Sequence, residues 1–177
     1  MKYMIASDIH GSAHYCRLLK ERYLEERADK LLLLGDLLYH GARNPLPRDY
    51  STLGCAEILN SIKEHILCVR GNCDSEVDQM VLEFPIEAEF CILPLGNRTL
   101  IATHGHKTPA VLSKDDLLLN GHFHVPAYEM RGDYIYVNCG SVSIPKENSP
   151  HSYLILENNE LIWKDVETGS PFRNEKI

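Results

Sequence analysis

Short apolar runs alternate with helical patterns in the first half of the chain. The runs are followed within a few residues by glycine and polar side chains, which predicts three buried strands: Lys2–Ala6, Lys30–Leu34 and Ile66–Val69. Apolar residues at helical spacing predict one helix over Ala13–Arg27 and a second from Ser51 or Thr52 to Glu64. Strands that alternate with helices indicate an α/β fold with parallel strands and right-handed crossovers. Ligand sites in such sheets lie at the carboxyl ends of the strands.

The second half of the chain has the pattern of β-hairpins, because alternating segments flank turn sequences rich in glycine and asparagine. The predicted pairs are Glu89–Leu95 with Thr99–Thr103, Ala127–Arg131 with Tyr134–Val137, and Ser152–Leu156 with Leu161–Val166. Asp116–Leu119 predicts one further strand, and the residues after Gly169 predict a polar, mobile tail. Mostly antiparallel strands here, after parallel strands before, fit two sheets packed face to face with helices outside. We expect a single domain over residues 1–177.

Composition and charge restrict the class of protein. With 44% hydrophobic and 24% charged residues, the chain has the composition of a soluble globular protein. A formal net charge of -7 argues against binding to extended nucleic acid, which requires a basic face. Apolar runs such as Leu31–Leu34 are too short for a membrane span, and Met1–Ser7 lacks the features of a signal peptide. We therefore expect a cytoplasmic protein with reduced cysteines, in which an exposed strand of the second half could support a homo-oligomer.

Residues of the metal-ligand type stand at the ends of five predicted strands, nearly all beside a glycine. They are Asp8, His10, Asp36, Asn72, His104, His122 and His124. A strand that ends in a glycine-rich turn projects its last side chains beyond the sheet edge, so several such ends form a shallow cup. Carboxylate, imidazole and amide donors without thiolate favour Mn, Fe, Zn, Ni or Co in octahedral-like sites. They argue against a structural zinc site. The pattern predicts two divalent metal ions, with Mn²⁺ as the first expectation and Zn²⁺, Fe, Ni²⁺ or Co²⁺ as alternatives.

Each motif has a purely structural explanation when it is taken alone. Asp8 and Asp36 could be turn or cap residues, and a single His-x-His pair is usually a surface feature. Asn72 can supply a neutral oxygen ligand, while its amide group can donate to a phosphate oxygen. Cys73 is equally explained as a small apolar side chain and as a chemical group, and the role of His40 stays open. Only the joint occurrence of the motifs favours a metal site.

In their order, these motifs resemble those of the calcineurin-like metallophosphoesterases, and among them the YfcE-type bacterial phosphodiesterases. The motifs are Asp8-x-His10, Gly35-Asp36, Gly71-Asn72-Cys73-Asp74, His104-Gly105 and Gly121-His122-x-His124. The likeness covers nearly the whole chain. It implies a four-layer α/β/β/α sandwich of two mixed sheets and a binuclear metal site.

The resemblance also implies a role for each residue of the site. One metal would be held by Asp8, His10, Asp36 and His124, and the other by Asp36, Asn72, His104 and His122, so that Asp36 bridges. His106 and Cys73 would line the pocket, and Arg43 and Asn44 of the long loop would reach the substrate.

The chain departs from the family pattern at three places. Phe123 stands where threonine is more common, which leaves the neighbouring ligands intact. Cys139 replaces a proline, so the backbone there loses a rigid turn. The segment Lys107–Asp115 looks several residues shorter than in similar enzymes, either because the loop is trimmed or because residues are missing from this numbering. Pocket depth and substrate preference depend on which explanation holds.

Residues and resemblance together predict a metal-dependent phosphodiesterase that hydrolyses a small organic phosphodiester. A hydroxide that bridges both metals would attack phosphorus in line, and Asn72 would help to stabilise the phosphate oxygens. Because Cys73 replaces a histidine of many relatives, we expect diesters with good leaving groups to be preferred over alkyl monoesters, with His106 as a partial substitute. The enzymatic alternative is a phosphomonoesterase or cyclic-nucleotide hydrolase. The alternatives from other classes are a non-catalytic protein-binding scaffold, as in the retromer subunit of this fold, and a metal-storage protein.

Overall fold

The computed structural model describes residues 1–107 and 112–177. In chain order its elements are β1 Tyr3–Ala6, α1 Ala13–Glu26, β2 Lys30–Leu33, α2 Thr52–Asn60, β3 Ile66–Cys68, β4 Phe90–Leu95, β5 Arg98–Thr103, β6 Leu117–Asn120, β7 Ala127–Arg131, β8 Tyr134–Asn138, β9 Ser152–Glu157, β10 Glu160–Asp165 and β11 Pro171–Lys176. Short 3₁₀ turns lie at Lys63–His65 and Asp78–Met80. The strands expected from the apolar pattern are therefore confirmed to within a few residues.

The first sheet has six strands in the order β11-β10-β9-β1-β2-β3. β1, β2 and β3 are parallel, and α1 and α2 make the two connections between them, as the alternating pattern predicted. β9 runs antiparallel to the other side of β1, and β10 and β11 continue the antiparallel part. Leu32 lies in register between Ile5 and Leu67, which explains why these central strands are apolar at consecutive positions.

The second sheet has five strands in the order β4-β5-β6-β8-β7. The predicted hairpins β4–β5 and β7–β8 form its two antiparallel edges, and the predicted hairpin β9–β10 belongs to the first sheet. The centre differs from the mostly antiparallel expectation, because β6 runs parallel to both β5 and β8. Hairpin signals are local in sequence. The two parallel pairings instead require connections that carry the chain back to the starting end of the sheet, and no single turn marks them.

Two apolar cores hold the layers together. The core between the sheets contains Leu34, Leu117, Leu154 and the fully buried Trp163, whose indole N–H donates to the carbonyl of Asn138 at 2.8 Å. The second core lies between the first sheet and both α-helices, so the helical layer that the structure describes covers the outer face of that sheet. Burial of these side chains is the main stabilising contribution to the fold. The predicted α/β sandwich of two mixed sheets is confirmed.

Serine side chains cap both α-helices at their first turn. Ser12 Oγ accepts from the N–H of Tyr15 at 3.3 Å, and Ser51 Oγ accepts from that of Gly54 at 3.1 Å. α2 ends at Asn60, earlier than predicted, where the Asn60 amide bonds the 81–83 segment and the chain continues as a 3₁₀ turn. No helix in the described part of the chain is both long and apolar enough to cross a membrane.

The residues after Gly169 form an ordered strand, so the prediction of a mobile tail is wrong. β11 pairs with β10 at the edge of the first sheet. The Arg173 guanidinium lies 5.2 Å from the Trp163 ring and 5.9 Å from the Tyr128 ring. A polar composition is compatible with an edge strand whose arginine covers aromatic rings, and this contact could not be read from the local sequence.

Candidate metal centre

The seven predicted ligands lie together where five strands end, at one end of both sheets. Those after β1, β2 and β3 come from the first sheet, and those after β5 and β6 come from the second. Two hydrogen bonds join the sheets at this end: His104 Nδ1 donates to the Leu34 carbonyl at 2.6 Å, and the His122 N–H donates to Asp8 Oδ2 at 2.9 Å. The facing sheets therefore supply opposite walls of one cluster.

One part of the cluster is formed by Asp8, His10 and His124. Asp8 Oδ1 lies 3.2 Å from His124 Nε2 and 3.5 Å from His10 Nε2, and the two imidazole nitrogens are 3.4 Å apart. All three side chains are buried. Three donor atoms at these separations surround one point, which is the arrangement that a cation requires.

The other part of the cluster is centred on His104. Its Nε2 lies 3.4 Å from Asp36 Oδ2, 3.0 Å from Asn72 Oδ1 and 3.1 Å from His122 Nδ1. Asp36 Oδ2 is also 3.7 Å from His10 Nε2, so this carboxylate stands between the two groups of donors. A shared carboxylate between two donor sets is the geometry of a binuclear site.

Backbone carbonyls orient three of the imidazoles. The Nδ1 atoms of His10, His104 and His124 donate to the carbonyls of Tyr39 at 2.9 Å, Leu34 at 2.6 Å and Ile144 at 2.6 Å, respectively. A carbonyl only accepts, so Nδ1 carries a proton and Nε2 is the atom that would present a lone pair to a bound cation. His122 differs, because its Nδ1 is the atom that faces His104.

The donor atoms of the cluster need a positive partner. Asp8 Oδ1 is buried and has no hydrogen-bond partner among the described residues, and the Nε2 atoms of His124 and His104 lie beside carboxylate oxygens. Burial would lower the pKa of His104, but Asp36 and Asp8 outweigh it and raise this pKa to about 9. Burial would likewise raise the pKa of Asp8, yet the neighbouring imidazoles of His10 and His124 lower it. Buried carboxylates that stay ionised and attract positive charge to the neighbouring groups fit divalent cations.

The ligand backbones adopt an uncommon conformation at the strand ends. The φ angles are 59° at Asp8, 49° at His10, 55° at Asp36, 65° at His122 and 62° at His124. Hydrogen bonds between the loops hold two of these positions, since Asp8 N–H donates to the Gly35 carbonyl at 3.1 Å and His10 N–H to the Asp36 carbonyl at 2.9 Å. Strained backbone of this kind concentrates at functional sites.

Asp74 is a positioning residue that the sequence reasoning did not assign. Its buried carboxylate accepts three backbone N–H bonds, from Asp36 at 2.9 Å, Leu37 at 2.8 Å and Gly71 at 2.7 Å. A Cβ on Gly71 would overlap Asp36 Oδ1, so this close approach requires glycine. The signal was present in the Gly71-Asn72-Cys73-Asp74 motif, but two of the three partners, Asp36 and Leu37, are distant in sequence.

Ser141 and Ser143 also support the cluster and were not predicted as site residues. Their hydroxyls donate to the carbonyl of Asp8 at 3.0 Å and 3.1 Å, and both side chains are buried. The two serines fix the loop that carries Asp8. Both serines are distant in sequence from Asp8, so no local pattern marked them as site residues.

An open cleft of about 640 Å³ lies over the cluster. Arg43, Asn44 and Cys73 line it, as expected, and Lys146 joins them from a segment that the sequence reasoning did not assign to the site. His106 instead lines a neighbouring depression of about 300 Å³ beside Asn72, and its ring centroid is 5.5 Å from that of His104. Two cationic side chains in one cleft suit an anionic ligand.

The three departures from the family pattern have different consequences. Phe123 is about half exposed, and its ring makes an edge contact with that of His122 at 5.1 Å. Cys139 is fully buried, and its thiol donates to the Gly140 carbonyl. The shortened segment Lys107–Asp115 lies partly outside the described residues. His40, left open above, packs its ring against those of Tyr39 and Tyr50.

Two mixed sheets whose strand ends unite carboxylates, imidazoles and an amide define a metallophosphoesterase architecture. Comparison with known proteins agrees: residues 1–160 match the calcineurin-like phosphoesterase superfamily domain. The chain belongs to this superfamily, which supports hydrolase activity and implies divalent metals.

The chain is similar over most of its length to named phosphoesterases of two bacteria. It is 46% identical over 166 residues to the phosphodiesterase YfcE of Escherichia coli strain K12, covering 91% of this chain and 90% of that protein. The solved structure of the E. coli phosphoesterase YfcE superposes with a TM-score of 0.94 at 43% identity and full coverage of both chains. The probable metallophosphoesterase YsnB of Bacillus subtilis strain 168 is 26% identical over 167 residues, covering 88% and 83%.

Proposed function

We propose that this protein is a binuclear metal-dependent phosphodiesterase acting on a small organic phosphodiester. The observation that carries the proposal is the position of Asp36 Oδ2, which lies 3.4 Å from His104 Nε2 and 3.7 Å from His10 Nε2. A carboxylate between two sets of donors suits a pair of cations better than one. The similarity to the phosphodiesterase YfcE supports the reaction class.

In this proposal, Asp8, His10 and His124 hold one cation and Asn72, His104 and His122 hold the other, with Asp36 shared. When bound, the two cations supply Lewis acidity, which activates water and draws negative charge from the phosphate oxygens. Manganese is the first expectation, and Zn²⁺, Fe, Ni²⁺ and Co²⁺ are the alternatives, because oxygen and nitrogen donors without thiolate suit all of these metals.

The protein's own side chains bind and orient the phosphodiester. The Asn72 amide group is exposed next to Asp36 and can donate to a phosphate oxygen. Arg43 and Lys146 line the cleft and attract the negatively charged diester. An open cleft with these groups leaves room for organic substituents on both sides of the phosphate.

Cys73 restricts the leaving groups. Burial, followed by the charge of Asp36, raises the pKa of the Cys73 thiol to about 12, so the thiol carries no charge at neutral pH. A neutral thiol with so high a pKa is a weak proton donor to a departing alkoxide. We infer a preference for diesters with good leaving groups over alkyl monoesters. His106 lines the neighbouring depression and not the main cleft, so it substitutes only partly for the missing proton donor.

The test is a metal-reconstituted substrate screen. Protein stripped with chelator is reloaded with Mn²⁺, Zn²⁺, Co²⁺ or Ni²⁺, and metal content is measured on the same preparations that are assayed. We expect about two metal ions per chain and faster hydrolysis of bis-p-nitrophenyl phosphate than of p-nitrophenyl phosphate.

The Asp36→Asn variant is the decisive comparison. Loss of the shared carboxylate should reduce diester turnover by roughly 1,000-fold or more. The matched control Asp133→Asn changes an exposed turn residue and should leave turnover unchanged. Near-normal turnover of Asp36→Asn at full metal content, or a fully loaded wild type without diesterase activity, would overturn the proposal.

A further inference from the structure

An apolar groove leads away from the metal centre on the side of α2. Its volume is about 400 Å³, and its walls are mainly aliphatic and aromatic, with Tyr39, Tyr50, Leu53, Cys73, Val77 and Val81 among the lining residues. Four of these side chains are open to water: Val77 is 67% exposed, Leu53 64%, Tyr39 42% and Val81 37%. Large apolar side chains that cluster in this way around a groove mark a binding surface.

The groove is continuous with the cleft over the metal centre. Tyr39, Cys73 and Ser75 line both spaces. The N–H of Cys73 donates to Asp36 Oδ1 at 2.8 Å, so the groove begins beside the shared carboxylate. A ligand whose phosphate lies at the metal centre therefore reaches the groove through its own ester substituent.

The charge distribution selects the kind of substituent. Asp78 carries the one carboxylate among the groove's described lining residues, and its Oδ2 accepts from the Ser75 N–H at 2.8 Å. The cationic Arg43 and Lys146 line the cleft and not the groove. A substrate with a second anionic group would thus find no cationic partner for it in the groove. An apolar substituent would bind favourably there, because the groove removes it from water.

We propose that this groove holds an alkyl or aryl substituent of the phosphodiester while the phosphate lies at the metal centre. The proposal rests on the phosphodiesterase function and specifies its substrate class as diesters with an apolar organic group. Leu53, Val77 and Tyr39 are its specificity-determining side chains.

The test uses methylphosphonate and hexylphosphonate, which share one phosphate-like group and differ only in the apolar chain. Their inhibition constants against bis-p-nitrophenyl phosphate are measured with Mn²⁺-loaded protein, and their direct binding is measured by calorimetry. Each buried methylene contributes up to about fourfold in affinity, so hexylphosphonate should bind at least roughly tenfold more tightly in a half-open groove.

Variants of exposed groove residues test whether the hexyl group of the inhibitor lies in the groove. In Leu53→Ser/Val77→Ser the ratio of the two inhibition constants should fall below about threefold, because the apolar walls are lost. Val77→Trp, which fills the groove, should lower the ratio in the same way. Met130→Ser removes an equally exposed apolar side chain on β7, far from the groove in the sheet order, and should keep the wild-type ratio.

The outcomes separate this inference from the proposed function. Equal binding of the two phosphonates to active wild-type protein would overturn the groove assignment and leave the phosphodiesterase proposal intact. A tenfold ratio of the two inhibition constants that is unchanged in both groove variants would also overturn it, since the hexyl group would then bind elsewhere. Absence of both turnover and phosphonate binding in fully loaded protein would overturn the proposed function, and this inference with it.

Discussion

Asp74→Asn should destabilise the protein and loosen its metal site, although Asp74 touches none of the expected cations. Its carboxylate accepts N–H bonds from Asp36 and Gly71 on Oδ2 and from Leu37 on Oδ1. An asparagine can keep the two bonds on one oxygen. Its NH₂ group then faces the Leu37 N–H, so one bond is lost and two buried donors oppose each other.

The magnitude follows from these contacts. An unsatisfied buried donor costs about 1–3 kcal/mol, and bonds to an uncharged acceptor are weaker than bonds to a carboxylate. We therefore expect a loss of about 3 kcal/mol in the free energy of unfolding. For a chain of 177 residues this corresponds to a fall of about 6–12 °C in Tm. Because Asp74 positions the loops of Asp36 and Asn72, metal affinity should fall by about 10–100-fold.

Urea denaturation of the metal-free proteins measures the first effect, and metal titration measures the second. Asp133→Asn makes the same chemical change at an exposed turn and should stay within about 0.5 kcal/mol of wild type. An Asp74→Asn protein with wild-type stability and metal affinity would refute the positioning role.

Three further predictions concern other parts of the molecule. A Cβ at position 121 would overlap Ser7 Oγ and press on Asp8 Oδ2, so Gly121→Ala should lower metal content after dialysis; full retention would contradict this reasoning. Burial would raise the pKa of Glu26, but Lys164, Lys2 and Tyr153 outweigh it and lower the pKa below its ordinary 4.5. The stabilisation by ionised Glu26 is present above pH 4.5 and is lost as pH falls through the lower folded-state pKa. The Tm difference between wild type and Glu26→Gln should therefore be larger at pH 7 than at pH 3. Equal differences at the two pH values would argue against the ion cluster. Cys73→His should gain p-nitrophenyl phosphate hydrolysis by tenfold or more, because an imidazolium can protonate a leaving group; no gain in a metal-loaded variant would count against the role assigned to the thiol.

Much of the fold could be predicted because its signals are local. The strands β1, β2 and β3 are short apolar runs with a helix between each pair, and the hairpin strands flank turn sequences. The pairing of β6 with β5 and β8 could not be predicted in this way, because register between distant segments is set by the assembled core. The strand β11 was missed for a similar reason, since its polar residues gain their partners only in the sheet.

The candidate ligands could be identified from the chain because each stands at a strand end within three residues of a glycine. The groups that hold them in place could not, because their signals depend on distant contacts. Asp74 contacts residues 36 and 37, and Ser141 contacts residue 8, so their positioning roles depend on partners that are distant in sequence. Lys146 likewise lines the cleft only because the fold brings its segment next to residues that are distant in sequence.

The positive φ angles at Asp8, His10, Asp36, His122 and His124 limit how this centre can be redesigned. Left-handed backbone is tolerated by aspartate, asparagine and histidine far better than by bulky or β-branched side chains. An engineer who wishes to change the metal preference must therefore choose exchanges among these three residue types before considering coordination chemistry. Asn72 and His104 carry no such φ restriction, so libraries aimed at new metals have their widest choice there.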